Sequence, residues 1–208
     1  MTSKSGPLKK LYDWLAVSDP CQPADVIFVL AGRECRKHFA IRLFQRGLAP
    51  VLLISVGRFE IRRFFNLNLP LSPDLLTIAA TTEPRLRHYF VKVEHGTGEA
   101  QRIALGRFGT LREVRGFSNW IREHPSIRSA MVVSSGFHLK RVRMCCQRLM
   151  PDGVRLRFVA VPEQGQSFAA DWWRDAGQRR LILSELMKVA IYRVLPQGLM
   201  PKQTLCDT

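Results

Sequence analysis

Paired cysteines and long apolar runs are both missing from this chain of 208 residues. Its five cysteines (Cys21, Cys35, Cys145, Cys146 and Cys206) are odd in number and never stand at CxxC spacing. Neither a disulfide framework nor a structural zinc site is therefore expected. No apolar stretch approaches the roughly 20 residues of a membrane-spanning helix. The start, "MTSKSGPLKKLYDWLAVSDP", lacks an uninterrupted apolar run followed by a small-residue cleavage site, so no signal peptide is expected. The expected compartment is the cytoplasm, with at most peripheral contact with the inner membrane. Internal repeats and low-complexity linkers are absent too. So are the G-x-S-x-G nucleophile elbow and the phosphate-binding P-loop, and "EHGTGE" falls short of a complete GxGxxG fingerprint. Acidic side chains are scarce: 17 Asp and Glu stand against 32 Lys and Arg, a net charge of +15.

What is present fits a globular protein, with 46% hydrophobic and 9% aromatic residues in a length suited to one α/β domain. "ADVIFVLAG" (24–32) has the continuous apolar character of a strand buried on both faces. "ECRKHFAIRLFQRGLAP" (34–50) carries a helical stripe stopped at Gly47, and "VLLISVG" (51–57) is a second buried strand. Strand, helix and strand in this order make a βαβ unit with parallel strands. "YFVKVE" (89–94), "RSAMVVSS" (128–135) and "VRLRFVAVP" (154–162) complete the expected strands. Helices are expected from Gly98 to about Glu123, over "HLKRVRMCCQRLM" and over 178–196, with one or two more in 58–90. The alternation predicts a single-domain α/β protein with a Rossmann-like, doubly wound, mostly parallel sheet. The expected division is an N-terminal helical extension over 1–20, the α/β domain over 21–196 and a tail over 197–208.

In such sheets ligands bind beyond the carboxyl ends of the strands. The sequence puts Gly32, Arg33 and Arg36 after the first strand, and Ser55, Gly57 and Arg58 after the second. Thr97 and Glu99, with His95, follow "YFVKVE"; Ser134, Ser135, His138 and Arg141 follow "RSAMVV". Each group joins small residues, which let backbone approach a ligand, to a polar or charged side chain. Helix N-termini and arginine forks suit an anion. Glu99 and His138 are the candidate proton-transfer groups, and the other residues candidate ligand contacts. His138 and Arg141 are one turn apart and expected to face the ligand rather than the core. Ser135 doubles as the expected N-cap of the helix it precedes. A metal held by Glu99 and His138 would lack ligands, and no cofactor is named by any motif.

The ordered set "VIFVLAG", "LFQRGLAP", "LLISVG", "GTGEA" and "VVSSGFHLKR", closed by "DWWRDAGQRRLILSELMKVAIY", resembles the bacterial YdcF-like family, whose relatives include SanA and ElyC. The resemblance spans about 24–193. It implies a Rossmann-like fold, a link to cell-envelope physiology and pocket roles for Gly32, Ser55, Gly57, Glu99, Ser135, His138 and Arg141. The family's glycine clusters shrink here to "AGR" and "SVGR", which brings Arg33 and Arg58 in their place. Together these readings predict a site for a small anionic ligand, phosphorylated or nucleotide-like. The alternative is a non-catalytic envelope-pathway protein that contacts an anionic carrier lipid or a protein partner, with "PLKKLYDWL" (7–15) as a surface-touching segment. Nucleic-acid binding ranks third, because charge alone suggests it and no recognition motif accompanies the charge.

Overall fold

The computed structural model describes residues 7–57, 88–94, 109–162 and 172–194, together with the strand path of 97–102. The helices expected within 58–87, the side chain of Arg58, His95 and the tail over 197–208 lie outside the described residues. Among the described residues are six strands: β1 (Val26–Val29), β2 (Val51–Val56), β3 (Tyr89–Glu94), β4 (Thr97–Arg102), β5 (Ser129–Ser135) and β6 (Arg155–Val161). Five helices accompany them: α1 (Pro7–Leu15), α2 (Glu34–Gln45), α3 (Gly109–Glu123), α4 (Gly136–Leu149) and α5 (Ala176–Val194).

The strands form one mixed sheet in the order β4-β3-β2-β1-β5-β6. β2, β1, β5 and β6 are parallel, and every residue of β1, β2 and β5 is buried. Their apolar composition needs cover on both sides, and alternation assigns it. Ile27, Val29, Leu52, Ile54, Met131 and Val133 face α2 through Ala40, Ile41 and Leu43. Val26, Phe28, Leu53, Ala130 and Val132 face the other way, against Val114, Phe117 and Ile121 of α3 and Leu139, Val142 and Cys145 of α4. Phe28 stacks on Phe117 with centroids 4.1 Å apart. A third cluster joins Tyr12 and Leu15 of α1, Phe137 of α4 and Ile182 and Val189 of α5, so the expected N-terminal extension packs on the α/β body.

Gly47 ends α2 as expected. It takes φ +74°, and the next two amides close the helix, Gly47 N–H on the Phe44 carbonyl at 2.9 Å and Leu48 N–H on the Leu43 carbonyl at 3.2 Å. Two expectations are corrected. β3 runs antiparallel to β2, and residues 97–102, expected to begin a helix, instead form the antiparallel edge strand β4. Strand direction is not encoded in a strand's own pattern. "TGEAQR" carries no alternating apolar face either; pairing to β3 makes it a strand.

Candidate functional site

The strand order turns between β1 and β5. Chain leaves β1 toward β2 over the α2 face, and leaves β5 toward β6 over the α4 face. A crevice opens at such a turn because the two crossovers diverge. A cleft of about 440 Å³ lies there. Ala31, Gly32, Arg33 and Arg36 come from the end of β1 and the start of α2, Gly57 from beyond β2, and His88 from just before β3. Thr110 and Glu113 of α3, Phe137, His138 and Arg141 of α4, and Ser184, Glu185 and Lys188 of α5 close it.

The floor is a contact between α2 and its own approach loop. Gly32 sits at φ +129°, and a Cβ there would lie 2.6 Å from the Arg36 guanidinium. That absence of a side chain lets Arg36 fold back, buried, over the loop. Its Nε donates to Ser135 Oγ at 3.0 Å and its Nη1 to the Ala31 carbonyl at 2.5 Å. On the other side of Ala31, the amide of the same residue donates to Glu113 Oε1 at 2.6 Å. Glu113 is only 6% exposed. Burial pushes its carboxyl up, while the Ser55 hydroxyl, the Ala31 amide and the charges of Arg36 and Lys37 pull it partly back.

Glu185 organises the opposite wall. It is 3% exposed and accepts from Arg141 twice, Nε on Oε2 at 3.0 Å and Nη2 on Oε1 at 2.8 Å. Lys188 Nζ reaches Oε1 at 3.1 Å. Arg141 also donates through Nη1 to Thr110 Oγ1 at 2.5 Å and lies over the Tyr192 ring. Desolvation works against ionising Glu185, but bonds to His138 and Arg141 hold its carboxyl well below the usual range. Desolvation likewise opposes charge on Arg141, and Glu185 more than offsets it.

His138 Nδ1 meets two neighbours with opposite demands: Arg141 Nη2 at 2.9 Å and Glu185 Oε2 at 3.2 Å. A guanidinium only donates and a carboxylate only accepts, so Nδ1 accepts from Arg141 in the tautomer with its proton on Nε2 and donates to Glu185 in the other. Burial keeps the imidazole neutral, lowering it to about 4, with Arg141 and Arg36 adding to the effect against Glu185. In the first of these tautomers the ring carries an Nε2–H on the side of the imidazole away from Arg141 and Glu185.

The structure brings Gly32, Arg33, Arg36, Gly57, His138 and Arg141 together around one cleft. Ser55 and Ser135 stand just behind its wall. Ser55 is fully buried, with Oγ 2.7 Å from His88 Nε2. Ser135 is the N-cap residue of α4 but makes no side-chain cap bond; its hydroxyl serves Arg36 instead. Ser134 points away from that side, fully buried without a partner for its hydroxyl. Thr97 and Glu99 lie elsewhere. Because β3 is antiparallel, its last residue Glu94 pairs with Val51, at the amino end of β2, and Thr97 pairs with Glu94. Glu99 is in register with Lys92, across from Leu53 in mid-sheet. The carboxyl edge is reached by the residue before β3, His88.

The cleft's carboxylates are Glu113 and Glu185, which sequence reasoning missed. Each left a faint signal: an acid within the apolar stripe of α3, and one amid the apolar face of "LILSELMKVAIY". Arg141 and His138 are also more deeply built in than expected, at 7% exposure each. Cys145 and Cys146 are buried, and burial pushes their thiols up, to about 12 for Cys145, the opposite of the lowered value of a reactive thiolate. Among the described residues no group of three or more His, Cys, Asp or Glu is placed to hold a metal ion. No helix there is long and apolar enough to cross a membrane.

Compared with protein-family models, curated proteins and solved structures, the chain matches none.

Proposed function

We propose that this cleft binds a small anionic ligand, phosphorylated or nucleotide-like, within a Rossmann-like, doubly wound domain of the YdcF-like type that acts in bacterial cell-envelope physiology. The observation that carries the reading is the charge balance of the lining. Arg33, Arg36, Arg141 and Lys188 stand against Glu113 and Glu185, and Glu185 is already shared by two of the four cations. The surplus is positive. The α4 N-terminus, with free amides and a partial positive charge, opens onto the same space beside His138. Arg36 and His138 are the primary ligand contacts in this reading, and Arg141 holds His138 and Glu185 in place. Proton transfer, if the ligand reacts, falls to His138 or to Glu113 in the role the sequence gave Glu99. A thermal-shift screen at low salt with nucleotides, sugar phosphates and S-adenosylmethionine tests this. Stabilisation by at least one anion, lost in Arg36→Gln, is expected; no shift with any anion overturns the reading.

A second reading is a non-catalytic protein that touches an anionic carrier lipid. It draws on apolar side chains left exposed on α1 (Leu8, Trp14) and α5 (Leu183, Met187, Ile191), beside Lys9, Lys10 and Arg180. Co-sedimentation with anionic but not neutral vesicles would favour it.

A further inference from the structure

α5 is apolar on two sides, and the fold covers one of them. Ile182, Val189 and Tyr192 are buried against the body, whereas Leu183, Met187, Ile191 and Val194 stand exposed. At about 100° per residue these four fall within an arc of about 80°, one stripe about three turns long. Single apolar side chains on a surface are ordinary; four in line on one helix mark a contact. Charge marks the same face. Arg180 heads the stripe, Arg179 and Arg193 border it on one side and Lys188 on the other, all four exposed. The helix has a single acid, Glu185, and it is buried on the covered side.

Apolar side chains framed by cations, with no exposed acid among them, complement a surface that is apolar within and anionic at its rim. We propose that α5 docks the protein on an anionic phospholipid bilayer. The helix lies in the plane of the headgroups, with Leu183, Met187, Ile191 and Val194 inserted and Arg180 and Arg193 on the lipid phosphates. This rests on the lipid-contact reading and assigns it to one helix face, whatever occupies the cleft. A second copy of the chain is a poorer occupant, because a two-fold pairing of α5 sets four cations against four. A protein partner fits less well too. Such interfaces are anchored by aromatic side chains, and the exposed side of α5 has none. Insertion is shallow. Ile182 and Val189 stay packed on the body, and no helix among the described residues is long and apolar enough to cross a membrane. Ser184 and Lys188, at the edge of the stripe, also line the cleft, so docking holds the cleft beside the headgroups.

The test is co-sedimentation of the full chain with vesicles of phosphatidylcholine alone and of equimolar phosphatidylcholine and phosphatidylglycerol. Wild type should bind the anionic vesicles about tenfold or more tightly than the neutral ones. Met187→Glu changes a side chain that is 66% exposed, so the fold tolerates it. It should lower the affinity by about tenfold or more, since it removes an inserted group and sets an acid against lipid phosphates. Arg180→Gln should lower it about fivefold, the share of one cation near such a surface. Binding to anionic vesicles that survives Met187→Glu overturns the docking role of α5 and leaves lipid contact through another surface standing. Wild type that sediments with neither vesicle overturns both. Equal binding to the two vesicles overturns the role of the cations. A dimer in sedimentation velocity that Met187→Glu dissociates gives the stripe to a second copy and overturns the proposal.

Discussion

Taking the pH from neutral to about 4 probes how the Glu185 hub is built, because His138 titrates in different ranges folded and unfolded. In the unfolded chain its imidazole takes up a proton near 6.5; in the fold, burial and the Arg141 and Arg36 charges delay this to about 4. Between those values the unfolded state binds one proton more than the folded state, so stability falls as the pH falls. The contribution is fully present above 6.5 and fully lost below about 4, and the gap corresponds to about 3 kcal/mol. Glu113 acts oppositely: its raised carboxyl takes up a proton in the fold first, which stabilises the fold as the pH drops toward 4.5. Glu185, held low, costs stability only below that value. A raw pH curve mixes all three, so the measurement is a difference. Urea unfolding followed by tryptophan fluorescence should be compared for wild type and His138→Gln at neutral pH and near pH 4. The wild type should lose about 3 kcal/mol more than the variant over that interval. Parallel losses would refute the reasoning, showing that His138 is not held neutral by the fold.

Arg141→Met should cost about 3–5 kcal/mol in urea unfolding, since it strands Glu185 beneath the surface; adding Glu185→Met should restore much of it. That reverses the sequence-based expectation that Arg141 faces the ligand rather than the core. Ser135→Ala should cost about 1–3 kcal/mol, because the buried Nε of Arg36 loses its acceptor; the helicity of α4, measured by circular dichroism, should hold, as no cap bond is lost. Gly32→Ala should displace Arg36 and weaken phosphate-ester binding in calorimetry, with a stability loss of about 1–3 kcal/mol from its φ of +129°. Duplex DNA binding, followed by fluorescence anisotropy, should be weak and fall steeply with salt.

Burial on both faces makes a strand legible, and β1, β2 and β5 are read from the chain almost to the residue because their runs are nearly all apolar, with serine alone among them. Gly47 is legible for a comparable reason: a C′ position at positive φ has a strong residue preference. Direction is another matter. "YFVKVE" has the same alternation in either orientation, and its reversal moves "EHGTGE" from the cleft edge to the opposite edge of the sheet. Thr97 and Glu99 were placed by that one unreadable bit. The cleft positions they were expected to occupy are held by Glu113 and His88, which lie at quite different chain positions. Glu113 and Glu185 stayed hidden because a helix pattern shows an acid among apolar residues without saying what lies opposite it.

The cations show why net charge is a poor guide to a ligand. Arg36 and Arg141 look alike in sequence, each in the first two turns of a helix that follows a buried strand. Arg141 is spent: a carboxylate grips it at two atoms, a threonine takes a third bond, and Tyr192 lies beneath it. Little of its charge remains for a ligand, and its bonds tie α4 to Glu185 of α5 and Thr110 of α3. Arg36 donates to a serine hydroxyl and a backbone carbonyl, neither of which carries charge. Neutral acceptors satisfy geometry without cancelling a field. Arg36→Gln should lose phosphate-ester affinity that Arg36→Lys retains in part. A fold-wide excess of +15 is consistent with either arginine's arrangement; only the partners of each guanidinium tell them apart.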